Sequence, residues 1–192
     1  MPENIKKIVC FIIGVTLASF TYSQVPAADS TSIAGSDSLQ TDSQEAEMLY
    51  NKGVEWYDKK QLDSAIRNFN EAVRLEPSFN QALFNRAIVK MDLKDYAGAI
   101  DDFNAVLKEK SDAEAFFFRG QARYELGDVE GARADYTSCI SEDPAFYQAL
   151  YYRGGTYFDA EDYSLAIADY TRAISLNNDY AYAYCDRGSA YW

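Results

Sequence analysis

From residue 46 to the end, the sequence repeats one pattern about every 34 residues. In the first copy, apolar residues recur at spacings that bring them onto the touching faces of two short helices. Gly53 and Ala65 are small enough to let these helices approach closely, and the larger Phe69 fills the space between them. Pro77 follows the second helix as a stop signal. Each copy is therefore predicted to form one helical hairpin, which could not stand alone.

The pattern occurs in four complete copies and one partial copy, at residues 46–79, 80–112, 113–146, 147–180 and 181–192. A column of small residues, here called the glycine column, comprises Gly53, Ala87, Gly120, Gly154 and Gly188. The small residue that opens the second helix is Ala65, Ala99, Ala132 or Ala166. The aromatic residue one turn later is Phe69, Phe103, Tyr136 or Tyr170. These columns are the positions that set the contact between helices.

This order of small, aromatic and proline positions resembles the tetratricopeptide repeat, and the resemblance covers residues 46–192. It implies an all-α fold, a right-handed α-solenoid of antiparallel helical hairpins whose first helices line a concave groove. Some members of the family hold the acidic tails of heat-shock chaperones with lysine and asparagine on these helices. Here the corresponding places are Tyr50 and Val54, and Asn85 alone matches. That specificity is therefore not expected.

The groove-facing side of the first helices is predicted to carry aromatic residues beside acidic ones, because residues seven apart share a face of a helix. The first aromatic ladder, three residues before the glycine column, is Tyr50, Phe84, Phe117 and Tyr151. The second aromatic ladder, four residues after that column, is Tyr57, Met91, Tyr124, Phe158 and Trp192. The acidic row next to it is Asp58, Asp92, Glu125 and Asp159.

Exposed aromatic rows usually mark binding surfaces, so we interpret both ladders and the acidic row as partner-binding residues. The other interpretation is that the ladders are core between adjacent copies. If the ladders and the acidic row form a binding surface, they predict a protein or peptide partner that is neutral to basic and has apolar anchors. The alternative function is carbohydrate binding or hydrolysis in the aromatic groove, although carboxylates that occur once per copy are more widely spaced than a retaining pair.

A column of arginines and a column of aspartates replace residues that are normally apolar in this fold. The arginines just before the glycine column are Arg86, Arg119, Arg153 and Arg187. The aspartates on the second helices are Asp102, Asp135 and Asp169. The functional interpretation is ligand capture by arginine, and the structural one, which we favour, is a repeated, partly buried ion pair. Spacing alone leaves open whether each aspartate pairs within its own copy or with the next.

Composition excludes several classes of function. The chain has no histidine, which removes the commonest general base and zinc ligand. No phosphate-binding loop, nucleophile motif or metal-ligand cluster is present, so we expect no cofactor, no metal and no enzymatic activity. A formal net charge of −12 without a basic stripe makes nucleic acid and anionic membrane surfaces poor partners.

The amino-terminal residues 1–23 have the composition of a secretory signal peptide. Lys6 and Lys7 precede an apolar run at 8–20, which is shorter than the roughly 20 residues that a membrane-spanning helix needs. Residues 24–44 are mostly small and polar and are predicted to form a flexible, disordered linker. We therefore expect a periplasmic or secreted mature protein that does not remain inserted in the membrane.

The chain ends at Trp192, part-way along the first helix of the fifth copy. Four aromatic residues crowd this segment: Tyr182, Tyr184, Tyr191 and Trp192. A solenoid normally ends in a helix with a polar outer face. The pattern indicates either that the sequence continues in the intact protein, which we favour, or that this face docks another molecule, for example in self-association.

Export makes a direct prediction about the mature mass. Intact-mass spectrometry of protein recovered from cells should show a species that lacks the first 23 or so residues, because signal peptidase cleaves after small residues near Ser23. Recovery of only the full-length species, retained in the cytoplasm, would contradict this prediction.

Overall fold

The computed structural model describes residues 36–192. Within these residues it contains nine α-helices and no strand: α1 (Ser36–Asp58), α2 (Leu62–Leu75), α3 (Asn80–Asp92), α4 (Tyr96–Glu109), α5 (Ala113–Glu125), α6 (Val129–Glu142), α7 (Tyr147–Asp159), α8 (Tyr163–Leu176) and α9 (Ala181–Ala190). The expected signal peptide and most of the expected linker lie outside the described residues.

The helices form a stack of hairpins in which each helix packs against the next along the chain. Helix α1 also contacts α3, α3 contacts α5, and α7 contacts α9. The Phe117 ring of α5 lies 5.5 Å from the Tyr152 ring of α7, so the first helices of successive hairpins form one continuous row. Helices α3, α5, α7 and α9 begin at the first residues of the copies read from the sequence. The predicted all-α solenoid of helical hairpins is confirmed.

The two helices of a hairpin touch where the glycine column meets an aromatic ring. A Cβ atom placed on Gly120 would lie 2.8 Å from the ring of Tyr136, and one on Gly154 would lie 2.8 Å from the ring of Tyr170. Both tyrosines are almost completely buried. The absence of a side chain at the glycine column therefore creates the space that the ring of the second helix fills.

The second, third and fourth hairpins each hold an arginine–aspartate pair between their two helices. The guanidinium of Arg119 donates from Nε to Asp135 Oδ2 at 2.9 Å and from Nη2 to Oδ1 at 2.6 Å. Arg86 with Asp102 and Arg153 with Asp169 make the same two-pronged contact. The predicted ion pairs are confirmed, and each forms within its own copy.

The same arginines also connect neighbouring hairpins. Their Nη1 atoms donate to a side-chain oxygen on the second helix of the preceding hairpin, at 2.7 to 3.3 Å. The pairs are Arg86 with Asn70, Arg119 with Asn104, Arg153 with Thr137, and Arg187 with Thr171. One guanidinium therefore stabilises both the hairpin that contains it and the junction before that hairpin.

Helix α1 begins earlier than expected, and the prediction of a disordered segment is wrong for residues 36–44. Adding a residue to an existing helix gains one backbone hydrogen bond, so a polar stretch can extend a helix that is already anchored. Ala46, which is completely buried, supplies that anchor, and the Ser43 hydroxyl donates to Glu76 Oε2 at 3.1 Å. Among the helices that the structure describes, none is both long and apolar enough to cross a membrane.

The aspartates of these pairs differ in the number of cationic side chains that contact them. Asp135 also accepts from Arg123 at 2.9 Å, whereas Arg153 is the only cation paired with Asp169 in the described chain. Arg153→Leu should therefore lower the free energy of unfolding by about 3 to 5 kcal/mol, because it leaves a buried carboxylate unpaired. Arg119→Leu should cost less, since Arg123 still faces Asp135.

Chemical denaturation of both variants measures this difference. Replacing Arg153 and Asp169 together by Leu and Tyr should restore much of the lost stability, because no unpaired charge remains. Additive losses in the double variant, or equal losses in the two single variants, would show that these pairs are not coupled as described.

Candidate binding groove

The first aromatic ladder packs between the helices, and the predicted place on the groove surface is wrong for Phe117. Phe117 is 2% exposed, and its ring centre lies 4.9 Å from that of Phe146 and 5.5 Å from that of Tyr152 in the next hairpin. Residues three apart share a face of a helix. Since the glycine column faces the second helix, the residue three positions before it is also directed into that contact.

The other three members of the first ladder follow the same rule. Tyr50 lies 5.9 Å from Phe69, Phe84 lies 5.6 Å from Phe103, and Tyr151 lies 5.7 Å from Tyr170, measured between ring centres. Each contact joins the two helices of one hairpin. These rings are half-buried, so they pack between the helices and keep part of their surface accessible.

The second aromatic ladder and the acidic row reach the surface. Tyr57, Met91 and Phe158 are half-buried, while Tyr124 is 41% exposed. All four residues of the acidic row are exposed: Asp58, Asp92, Glu125 and Asp159. This surface of α1, α3, α5 and α7 is called the groove below.

Tyrosine hydroxyls bind two of these carboxylates across hairpin junctions. The Tyr57 hydroxyl donates to Asp92 Oδ2 at 2.9 Å, and the Tyr124 hydroxyl donates to Asp159 Oδ2 at 2.5 Å. In the second copy Met91 occupies the corresponding place and has no hydroxyl to donate to Glu125. The acidic row therefore helps to hold the stack together while it remains exposed to a partner.

The groove contains a pocket of about 360 Å³ at the junctions of the third, fourth and fifth copies. Five aromatic side chains form much of its wall: Tyr124, Tyr151, Tyr152, Phe158 and Tyr170. The remaining lining residues are Gly155, Asp159, Asp186 and Ser189. Two carboxylates thus lie among aromatic rings, and we call this site the groove pocket.

A single missing side chain explains the position of the groove pocket. Gly155 follows the glycine column directly, at a place occupied in the first three copies by Val54, Ile88 and Gln121. A Cβ atom on Gly155 would meet only the hydroxyl of Tyr170, at 4.0 Å. The space that a side chain fills at this position in the earlier copies is therefore open in the fourth copy.

Sequence reasoning missed part of the groove pocket. It did not select Tyr152, Gly155, Asp186 or Ser189. A usable signal was present, because Tyr152 and Asp159 are seven residues apart and so share a face of α7. Asp186 occupies the same column of the repeat as Tyr152, two residues before the glycine column.

The two carboxylates supply the charge of the groove pocket, because its tyrosines stay protonated at neutral pH. Hydrogen bonding to Asp159, together with burial, raises the pKa of Tyr124 to about 12. Burial, followed by the hydrogen bond to Asp186 at 2.6 Å, raises the pKa of Tyr151 further. Burial also raises the pKa of Tyr170. The phenols therefore contribute ring faces and hydroxyl donors rather than charge.

The potential metal ligands of residues 36–192 form no cluster. No group of three or more histidine, cysteine, aspartate or glutamate side chains in this part of the chain is arranged to hold a metal ion. A stack of helical hairpins with a groove along its first helices defines a helical-repeat solenoid, a class of protein that presents extended surfaces.

Comparison with family models identifies the repeat. Two models described as "Tetratricopeptide repeat" match residues 50–115 and 113–146, and one described as "TPR repeat" matches residues 154–192. The hairpins of this chain are tetratricopeptide repeats, as the sequence pattern predicted.

Several known proteins are similar to parts of the chain. RNA polymerase II-associated protein 3 of Rattus norvegicus is 34% identical over 110 residues, which cover 56% of this chain and 16% of that protein. The crystal structure of MamA protein matches with a TM-score of 0.74 at 22% identity, covering 77% of this chain and 81% of that one. The first TPR of Spaghetti (RPAP3) bound to the HSP90 peptide SRMEEVD matches with a TM-score of 0.60 at 27% identity, covering 62% of this chain and 94% of that one. The chain thus spans about a sixth of the curated relative.

The burial of the first ladder can be tested by its effect on stability. Phe117→Ala should lower the free energy of unfolding by about 3 to 5 kcal/mol, because it leaves a cavity among packed rings. Tyr124→Phe is the control, since it keeps a partly exposed ring and removes one hydroxyl, and should cost about 1 kcal/mol. Thermal melts followed by circular dichroism measure both changes. A Phe117→Ala variant as stable as the control would contradict the placement of Phe117.

Proposed function

We propose that this protein is an exported, non-enzymatic scaffold that binds a segment of another protein along the groove. The observation that carries the proposal is the accessible second aromatic ladder beside exposed carboxylates on one row of helices. Aromatic side chains bring large contact areas at low entropic cost and dominate the energetics of interfaces. The periplasm or the extracellular space is the proposed location, from the composition of residues 1–23.

Similarity to a peptide-binding domain supports a protein partner. The solved repeat domain of RPAP3 holds a peptide, SRMEEVD, that contains several acidic residues. The places for lysine and asparagine in the family's chaperone-binding members are Tyr50 and Val54 here. Asn85, the one residue that matches, donates its amide to the Tyr50 hydroxyl at 3.0 Å. We therefore propose a segment of different chemistry for this chain.

The charge of the groove indicates which segment would bind. Exposed carboxylates repel acidic peptides and attract lysine and arginine side chains, and this attraction speeds association more than it strengthens the final complex. The half-buried rings of Tyr57 and Phe158 offer contact area to apolar side chains. A neutral to basic segment with apolar anchors fits both features.

Two related points extend the proposal. No catalytic constellation suggests itself on the groove, so binding rather than turnover is the proposed activity.

Tyr182 and Tyr184 on α9 are exposed, together with Tyr191 and Trp192 after it, and they offer a second apolar surface for self-association.

Affinity capture tests the proposed function. Immobilised mature protein should retain a specific protein from a periplasmic or secreted extract, and that protein should be released by salt. Asp92→Asn combined with Glu125→Gln should slow association with the captured protein several-fold and flatten its dependence on salt, with little effect on release. Surface plasmon resonance at three ionic strengths measures these rates.

A matched control removes the same charge away from the groove. Asp101→Asn with Glu130→Gln changes two exposed carboxylates on the second helices α4 and α6. This control should bind like the wild type. Equal effects of the two double variants would mean that only net charge matters, and retention of glycans instead of protein, or their turnover, would overturn the proposal in favour of the carbohydrate alternative.

A further inference from the structure

We infer that the groove pocket binds the guanidinium of an arginine side chain in the partner segment. This inference rests on the proposed function and gives it a specific contact. The pocket combines aromatic walls with the carboxylates of Asp159 and Asp186. It would select partners by one residue rather than by overall charge.

The two carboxylates of the groove pocket have no cation of their own. Each accepts a tyrosine hydroxyl on Oδ2, from Tyr124 to Asp159 and from Tyr151 to Asp186, which leaves Oδ1 as a further acceptor. In the part of the chain that the structure describes, no lysine or arginine lies within ion-pairing distance of either. A cation from a partner would therefore complete the charge balance of the site.

The chain already builds arginine sites from the same components. Arg153 binds Asp169 through two donors and lies 6.0 Å from the centre of the Tyr157 ring. Arg119 binds Asp135 in the same way and lies 5.5 Å from the Phe116 ring. The groove pocket contains aromatic rings and aspartates but lacks the guanidinium that these internal sites contain.

Guanidinium suits the groove pocket better than ammonium does. It is planar, stacks on aromatic faces, and presents five N–H donors that can reach two separate carboxylates. It is also less strongly hydrated than an ammonium group, so it loses less on entering a site walled by aromatic rings. Arginine is therefore the expected side chain, and lysine should bind more weakly.

The junction between the first and second copies provides an internal comparison. Tyr57 and Asp92 make the same hydrogen bond there as Tyr124 and Asp159. When Asp92 is aligned with Asp159, however, Ile88 stands at the place of Gly155 and Phe118 stands at the place of Asp186. The surroundings of Asp92 therefore lack both the second carboxylate and the open space of the groove pocket.

The test uses three short peptides with the purified full-length protein. Capped Gly-Arg-Gly is the probe, capped Gly-citrulline-Gly is its neutral isostere, and capped Gly-Lys-Gly is a cation without the planar fork. Titrations followed by heteronuclear NMR should give saturable shifts for amides of α7 and α9. The arginine peptide should bind at least about tenfold more tightly than the citrulline peptide, because a charge-assisted pair is lost in the latter, and more tightly than the lysine peptide.

Variants assign the binding to this pocket. Asp159→Asn and Asp186→Asn keep an oxygen for the tyrosine hydroxyl and should each weaken the arginine peptide by about tenfold. Gly155→Val introduces the side chain found at Val54 and should abolish binding by filling the space. Asp101→Asn, which removes an exposed carboxylate on α4 away from the groove, is the matched control and should bind the peptide like the wild type. Circular dichroism verifies that each variant folds.

Three results would overturn the assignment: equal binding of the citrulline or lysine peptide, unchanged binding by Gly155→Val, or an equal loss in Asp101→Asn. The test of the groove pocket and the test of the proposed function can fail independently of each other. Capture of a protein partner that persists in folded Gly155→Val would reject the role of the pocket and leave the scaffold function intact. Binding of the arginine peptide with no captured protein would support the pocket and count against the scaffold function.

Discussion

The close contact between the glycine column and an aromatic ring is the constraint on which the rest of this structure depends. Because the ring of Tyr136 or Tyr170 occupies the space left by Gly120 or Gly154, the two helices of a hairpin pack closely in this orientation. That orientation directs the residue three positions earlier into the core and leaves the residue one position later facing the groove. The groove pocket is the result where this last residue is Gly155.

At each hairpin junction, the residue of the first aromatic ladder faces a side chain of matching chemistry in the next copy. The Tyr50 hydroxyl accepts from Asn85, and the Tyr151 hydroxyl donates to Asp186, so a tyrosine faces a polar partner. Where the ladder has phenylalanine, the facing residue is aromatic: Phe84 lies 5.9 Å from Phe118, and Phe117 lies 5.5 Å from Tyr152. This alternation gives each junction a different lining within one repeated backbone, so binding chemistry can vary along a uniform solenoid.

The sequence was informative about the fold and less so about the site. Spacing predicted the helical hairpins, and opposite charges in two columns predicted the pairing of Arg119 with Asp135. Phe117 was assigned to the wrong surface, because the period of its ladder is equally consistent with a groove and with a core. The carboxylate of Asp186 was overlooked, since its column is not acidic in the other copies, where it reads Asn51, Asn85, Phe118 and Tyr152.

By itself, the sequence determined the repeat, the all-α hairpin architecture and the residues that carry charge, because these depend on local spacing and residue type. The tertiary structure decided that each arginine binds the aspartate of its own hairpin and reaches back to the preceding one. It also decided that Phe117 is buried and that Gly155 opens a pocket between two carboxylates. The physical reason is that helical periodicity specifies which residues share a face, whereas the distance and angle between packed hairpins determine what that face meets.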